Sequence, residues 1–393
     1  MTLSPGAFYL LKTSPDSKAR AGELVTPHGT VPTPLLLPVG SQGAVKTLTP
    51  EEVRNIGISM VLANTYHLYL RPGIPVIQKI GGLHNFMGWD GAILTDSGGF
   101  QIFSLARLRQ VSDDGVVFRS HIDGSQHLLT PELVIEFQEA LGADIIMVLD
   151  ECRSHTDGFE KIQRAMNRTY KWAEKCQRAH KRGDQTLYAI VQGGTFPQLR
   201  QESAEFLTSL GFAGYGIGGL SIGEPKKVTF EIAEQTAALL PEDKLRYLMG
   251  VGSPEDIIEG VARGIDMFDS ALPTRVARNG ALFTRSGRVN IHNAVYSQME
   301  QAVDSECDCY TCRTFSAAYL HHLFKSRELL SYRLATIHNL TFMSNLMSKI
   351  RGAIIAGTFD TFKDGFLSSY RPTDEQTRLN QKQKWLESRN RDK

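Results

Sequence analysis

Asp96, Asp150, Gln192 and Asp269 each stand at or near the end of a short apolar run, and their types suit proton transfer, nucleophilic attack and recognition of a polar ring. A carboxylate accepts the N1–H and 2-amino donors of a guanine-like ring, and an amide donates to its O6, so Asp150 and Gln192 complement such a ring. These residue types serve many substrates at strand ends, and the complement alone selects none. Asp96 lies in TDSGGFQ, where the pair Gly98-Gly99 lets backbone approach a ligand closely. After Asp269 the chain reads SALPTRVARNGALFTRSGR. From Ser270 to Met299 it carries no acidic residue, while Arg275, Arg278, Arg285 and Arg288 all fall there. Such a stretch reads as a local phosphate-binding surface, with an ordinary solvated face as the plainer alternative.

A second cluster has different chemistry. Cys307, Cys309 and Cys312 in CDCYTC are spaced so that one ion can chelate all three thiols, and a tetrahedron needs a fourth ligand. His338 in TIHNL is the expected one; His321 and His322 compete, although AAYLHHLF reads as a helix on which both could be packing residues. A closed Cys3His set has no open position, which suits one structural Zn2+ per subunit. A disulfide or free thiols are the alternative.

The elements that must position these groups follow from eight apolar runs: Pro34–Gly40, Ile58–His67, Ala92–Gly98, Ile145–Cys152, Leu187–Gly194, Gly214–Leu220, Tyr247–Gly252 and Ile265–Ser270. Short runs without polar alternation read as strands buried on both faces, as in a parallel sheet. Helical patterns separate most of them, which predicts a (β/α)8 barrel with candidate residues Asp96, Asp150, Gln192, Gly219, Met249 and Asp269 at its C-terminal strand ends. An open Rossmann-like sheet is the competing architecture. Capping signals at Thr49-Pro50, Thr130-Pro131 and Ser253-Pro254 start helices where the barrel needs them. Val116–Leu128 alternates and turns at Asp123-Gly124, which predicts an inserted hairpin. The run from Gly214 to Gly219 matches a dinucleotide fingerprint, but it falls late and inside a strand, so that reading is rejected.

A chain of 393 residues exceeds the roughly 250 of a typical barrel, which leaves room for an appended part. The expected division is a catalytic barrel over 1–290, a zinc-binding helical subdomain packed on it over 291–375 and a polar tail over 376–393. A formal charge of +1 gives no global signature of a nucleic-acid or membrane-surface protein. No stretch approaches the ~20 apolar residues of a membrane span, and the N-terminus lacks a secretory pattern. A cytoplasmic protein without membrane partners is expected. Five cysteines, three of them within six residues, do not form a secreted disulfide framework.

Taken in order, TDSGGFQ, DEC, IVQGG, GIGGL, YLMGVGSPED, GIDMFDSALPTRVARNG, CDCYTC and TIHNL resemble the motifs of bacterial-type tRNA-guanine transglycosylases. The resemblance covers roughly Ala19 to Gly357. It implies a (β/α)8 barrel with a zinc-binding C-terminal part, a homodimer, and exchange of the wobble guanine of GUN-anticodon tRNAs (Asp, Asn, His, Tyr) for a 7-deazaguanine in queuosine synthesis. It also implies that Asp269 is the nucleophile and Asp96 the proton-transfer residue. The implied base pocket is Ser97, Gly98, Gly99, Asp150, Gln192, Gly219 and Leu220, with Phe100 and Met249 sandwiching the ring. RNA contacts are implied for Gly250, Val251, Gly252, Ser253, Pro254, Glu255 and Asp256, and for Thr274, Arg275, Val276, Ala277 and Arg278.

Two departures sit beside that pocket. Arg153-Ser154-His155 stands where many bacterial members carry Thr-Pro-Tyr, and Ser221-Ile222 where they often carry Ala-Val. They leave the incoming base open between 7-aminomethyl-7-deazaguanine, which is preferred here, and queuine. Other classes compete: a non-catalytic RNA-binding subunit, against which the presence of both Asp96 and Asp269 argues, and a zinc-dependent barrel hydrolase. The hydrolase would hold its metal at the strand ends, yet the first strand offers no His-x-His pair.

Overall fold

The computed structural model describes residues 5–105 and 109–372; the tail expected over 376–393 lies outside the described residues. Eight parallel strands form the central sheet: β1 Leu35–Pro38, β2 Met60–Asn64, β3 Ala92–Asp96, β4 Ile145–Met147, β5 Thr186–Val191, β6 Gly214–Ile217, β7 Leu245–Leu248 and β8 Met267–Ser270. Their order is β1-β8-β7-β6-β5-β4-β3-β2, and a parallel bridge between Val39 and Leu62 brings the two ends of that order together. The eight apolar runs are therefore the eight staves of a barrel. Nearly every strand residue is buried, since side chains fill the interior while the surrounding helices cover the outside.

Packing inside the barrel explains the glycine pattern that mimics a dinucleotide fingerprint. A Cβ on Gly214 would lie 2.4 Å from the Tyr188 ring, one on Gly216 3.1 Å from Met147, and one on Gly218 2.8 Å from the Gln192 amide. Gly214 and Gly216 share one face of β6, and Gly218 follows just beyond its end. Their missing side chains leave volume for large neighbours on β4 and β5.

The capping signals act as expected. Thr49 and Glu52 form a reciprocal capping box before Pro50–Asn55, Thr130 accepts from Leu133 N, and Ser253 accepts from Asp256 N. The inserted hairpin is present, with Arg119 paired to Gln126 across its turn, but a third strand at Arg109–Ser112 extends it to an antiparallel meander. A further antiparallel sheet, Phe8–Thr13, Arg20–Thr26 and Gly29–Thr33, went unread in the sequence. It covers the N-terminal end of the barrel, where Lys18 N donates to Ala262 O and Arg20 pairs with Asp266 at the foot of β8. Among the described residues beyond the barrel come a short helix Leu272–Arg278, the hairpin Ala281–Thr284/Gly287–Asn290, a 3-10 turn at Ala294–Tyr296 and four α-helices. The longest, Leu329–Ala356, sends Leu340, Met343, Leu346, Met347, Ile350 and Ile354 into the same core as the barrel.

Candidate active site

Three carboxylates converge at the C-terminal ends of the strands, each with its own set of donors. Asp269 on β8 is held at one oxygen: Tyr247 Oη donates to Oδ1 at 2.6 Å and Gly250 N at 2.7 Å. Its Oδ2 has no hydrogen bond among the described residues, so one oxygen is fixed and the other is available to react. Gly250 has φ +75°, which turns the chain after β7 so that its N–H faces Asp269. Burial raises the Asp269 pKa against the lowering pull of these two donors.

Asp96 at the end of β3 accepts from Thr65 N at 3.1 Å and from Gln101 Nε2 at 2.8 Å, and it also accepts from Asn64 Nδ2. Burial nevertheless lifts its pKa to about 7, with a smaller push from the nearby Asp269 charge. A carboxyl that exchanges its proton near neutrality is suited to general acid and base work. Asp269 and Asp96 thus form an unlike pair: one carboxylate with a free oxygen, one poised to move protons.

Asp150 follows β4 and accepts from Gln192 Nε2 at 2.7 Å and Ser97 Oγ at 3.2 Å, and burial raises its pKa to about 6. Glycines press against this pair. A Cβ on Gly99 would meet Asp150 Oδ1 at 2.7 Å, and one on Gly219, which has φ +68°, would meet Gln192 Oε1 at 2.4 Å. Leu220 is buried, Met249 half-buried, and the Phe100 ring is 46 % exposed beside the mouth. A cleft lined by Glu151, Arg153, Gln192, Gly193, Gly194 and Gly219 opens next to Asp150 and Gln192.

Several contributors were missed in the sequence. Arg200 is fully buried, and its guanidinium donates to Gly194 O, Val191 O and Gly218 O at 2.8 Å each, which locks the ends of β5 and β6 around Gln192. Glu224 takes Thr229 Oγ1 at 2.6 Å and the N–H groups of Ile222 and Gly223 at 3.1 Å; it also accepts from Ser221 N. Burial opposes its ionisation, but these donors prevail and hold its pKa down. Asn64, Gln101 and Tyr247 lay inside quoted runs or motifs, which was the available signal; Arg200 and Glu224 offered none by spacing. The His155 ring of the first departure packs against Gly223, the residue after the second: a Cβ there would lie 2.5 Å from the ring. Arg153 turns to Asp157 at 3.1 Å and Glu151 at 3.5 Å.

The two segments for which RNA contacts are expected differ in what they expose. Thr274, Val276 and Ala277 turn into the core, so Leu272–Arg278 offers exposed Arg275 and half-buried Arg278 to solvent. The loop after β7 exposes Gly250, buries Val251 and Gly252, and leads through Ser253 into Pro254–Ala262. Glu255 and Asp256 are engaged by Lys226 at 3.0 and 2.7 Å. Arg285 is not free of acids in space, because Glu306 pairs with it at 2.5 Å.

The thiol cluster assembles away from these carboxylates. Cys307, Cys309, Cys312 and His338 place their ligand atoms within 4.8 Å of one another, and His338 Nδ1 lies 3.6 Å from Cys309 Sγ and 3.3 Å from Cys312 Sγ. Tetrahedral sulfur–nitrogen ligand pairs around zinc are about 3.5 Å apart. His338 Nε2 donates to Phe283 O at 2.7 Å, which leaves the Nδ1 lone pair facing the sulfurs. His321 instead bonds Ile291 O and stands outside the group. This cluster could hold a metal ion.

The family model described as Queuine tRNA-ribosyltransferase matches residues 16–372. The chain is 59% identical over 383 residues to a queuine tRNA-ribosyltransferase of Dehalococcoides mccartyi, strain ATCC BAA-2266, covering 98% of each chain. It is 55% identical over 364 residues to that of Thermoanaerobacter pseudethanolicus, covering 92% of this chain and 97% of the relative. The relative from Desulforamulus reducens is 54% identical over 366 residues, at 93% and 99% coverage.

Proposed function

The chain belongs to the queuine tRNA-ribosyltransferase family, and we infer that it works as a tRNA-guanine transglycosylase by double displacement at Asp269 and Asp96. The transferase activity on tRNA follows from that membership; the roles below are our reading of the geometry.

Asp269 Oδ2 attacks C1′ of the target ribose as the glycosidic bond breaks through an oxocarbenium-like transition state, giving a ribosyl ester. The departing guanine keeps the bonding electron pair and takes a proton from Asp96. The incoming base returns a proton to Asp96, attacks C1′ from the vacated face and expels the Asp269 carboxylate. Two inversions give net retention. The support for this assignment is the asymmetric anchoring of Asp269, with Oδ1 tied by Tyr247 and Gly250 and Oδ2 free. Asp150 and Gln192 would read the base, Gly219 and Leu220 would border it, and Phe100 and Met249 would cover its faces. The base must leave its stack, at a cost of a few kcal/mol that is smallest in a single-stranded anticodon loop.

The substrates in this reading are GUN-anticodon tRNAs and a 7-substituted deazaguanine, the aminomethyl base ahead of queuine. Arg275 and Arg278 grip flanking phosphates. Zn2+ fits the Cys3His donors and would brace the segment between the hairpin and the long helix, taking no part in the chemistry. A homodimer in the cytoplasm completes the proposal, in keeping with the absence among the described residues of any helix long and apolar enough to cross a membrane. Asp269→Asn tests the core of it: the variant should fold and bind tRNA, yet form no denaturant-resistant enzyme–RNA adduct when only tRNA is supplied. An adduct in that variant, with none in Asp96→Asn, would show the two roles reversed. A competition among guanine, the aminomethyl base and queuine on one tRNA tests the base choice.

A further inference from the structure

On the opposite end of the barrel, the first residue before β4 is an isolated buried charge. The Asp144 side chain is 0 % exposed, and among the described residues no lysine or arginine reaches it. Its oxygens take Ile93 N at 2.7 Å, His28 Nδ1 at 2.7 Å and His84 Nε2 at 3.3 Å. Burying a lone carboxylate is costly unless a positive charge compensates it. Two imidazoles face it, and a cation held by them would supply that charge.

We propose that His28, His84 and Asp144 form a second metal-binding site, separate from the thiol cluster, for a divalent transition cation of the zinc type. Their ligand atoms lie within 4.8 Å of one another. Tetrahedral nitrogen and oxygen ligands of such an ion are about 3.3 Å apart, so on binding the three atoms close up and the two rings tilt out of their stack to aim both lone pairs at one ion. The two imidazoles stack with centroids 3.6 Å apart and planes 14° from parallel, and the nitrogens that meet Asp144 both lie on the carboxylate side of the stack. Two imidazoles and one carboxylate suit zinc-like cations, whereas magnesium and calcium favour all-oxygen sets. The His28 side chain, on the turn joining two strands of the N-terminal sheet, is 36 % exposed and gives the ion a route in.

Coordination requires each ring nitrogen to present its lone pair. A neutral ring shifts its proton to the other nitrogen, an imidazolium releases one to solvent, and His84 gives up its 3.1 Å contact with Gly91 O. The fourth position stays open for water. The bound ion would join three segments distant in sequence: the 26–29 turn of the N-terminal sheet, the Leu83–Met87 helix and the foot of β4.

Untagged full-length protein, equilibrated with Zn2+ and then counted by elemental analysis, tests this directly. The parent should hold two equivalents per chain, and His28→Gln, altered on an exposed turn, should hold one with its guanine exchange intact. With Co2+ the two sites separate spectroscopically: thiolate-to-metal charge transfer reports the cysteines, and d–d bands without it report the histidines. Loss of the charge-transfer signal alone would count against the Cys3His zinc site and leave this one standing. A parent that holds only a thiolate-bound ion, or a His28→Gln chain that keeps both equivalents, overturns the proposal.

Discussion

Asp266 and Asp269 lie three residues apart on one strand, yet the two ends of β8 give them opposite surroundings. At the foot, Asp266 is completely buried and bidentate with Arg20, at 2.7 and 2.6 Å, and it also accepts Arg246 N at 2.7 Å. At the mouth, Asp269 receives a phenol and one backbone N–H, both on a single oxygen. The first carboxylate is matched in charge and in hydrogen bonds, so it joins the N-terminal sheet to the barrel. The second keeps one oxygen without a hydrogen bond among the described residues, which is what the proposed nucleophile requires. The pKa directions divide differently: burial raises Asp96, Asp150 and Asp269 at the mouth and also Asp266 at the foot, where Arg20 pulls against it, while burial at Asp144 is outweighed by imidazole and backbone donors that lower its pKa.

Exchanging the charge at each end should separate the two roles. Asp269→Asn should cut guanine exchange by on the order of 10³-fold or more with little change in melting temperature; a large loss of Tm would mean that the mouth carboxylate also carries structure. Arg20→Met leaves a buried carboxylate without its partner and should cost about 3–5 kcal/mol of stability in denaturant titration. Exchange per folded molecule should hold, and a selective fall in kcat would blur the division between floor and mouth.

Metal removal addresses the third region. Cys312→Ser, or a strong chelator, should lower Tm markedly and release one thiolate-bound ion, because structural zinc contributes to folding through the sites it preorganises. Exchange that disappears while Tm stays unchanged would contradict a structural role.

Asp96 and Asp150 should respond to pH oppositely to Asp144. A raised pKa means that the folded chain binds protons the unfolded chain has already released. The stabilities of Asp96 and Asp150 are therefore full below about pH 4 and fall as pH rises through about 6 and about 7. Asp144, lowered, contributes stability above its unfolded value and loses it as pH falls. Asp96→Asn should flatten the loss of stability between pH 5 and 8, read by chemical denaturation, and Asp144→Asn should flatten only the acid limb. In the parent, adduct formation should decline above about pH 7 as Asp96 gives up its proton; a rate that keeps rising to pH 9 would remove Asp96 as the acid. The smallest effect is expected at the rim. Arg275→Gln should reduce the slope of log affinity against log salt by about one unit if it contacts one phosphate, and unchanged affinity across salt concentrations would leave it an ordinary solvated side chain.

How much was legible follows the range of each interaction. The strands and their terminal Asp96, Asp150, Gln192 and Asp269 could be read because a doubly buried strand needs an unbroken apolar run and a polar residue marks where it emerges. The helix starts were equally local, as Thr49, Thr130 and Ser253 show. The N-terminal sheet escaped because Phe8–Thr13 presents one buried and five outward residues, which no burial pattern distinguishes from a loop. The third strand of the meander escaped because Arg109–Ser112 is polar and held by cross-strand pairing alone.

The sequence by itself determined the eight-run rhythm, the chemistry at each run's end and the clustering of three thiols, since these rest on neighbours in the chain. Tertiary structure decided which of the carboxylates is quenched and which stays available. Arg20 reaches Asp266 across 246 residues and Tyr247 reaches Asp269 across 22, while Glu306 folds back onto an arginine stretch that looked free of acids. It also selected His338 over His321 beside the thiols. Hydrogen bonds and charge pairing act over a few ångströms of space, and only barrel closure fixes which side chains come within that distance.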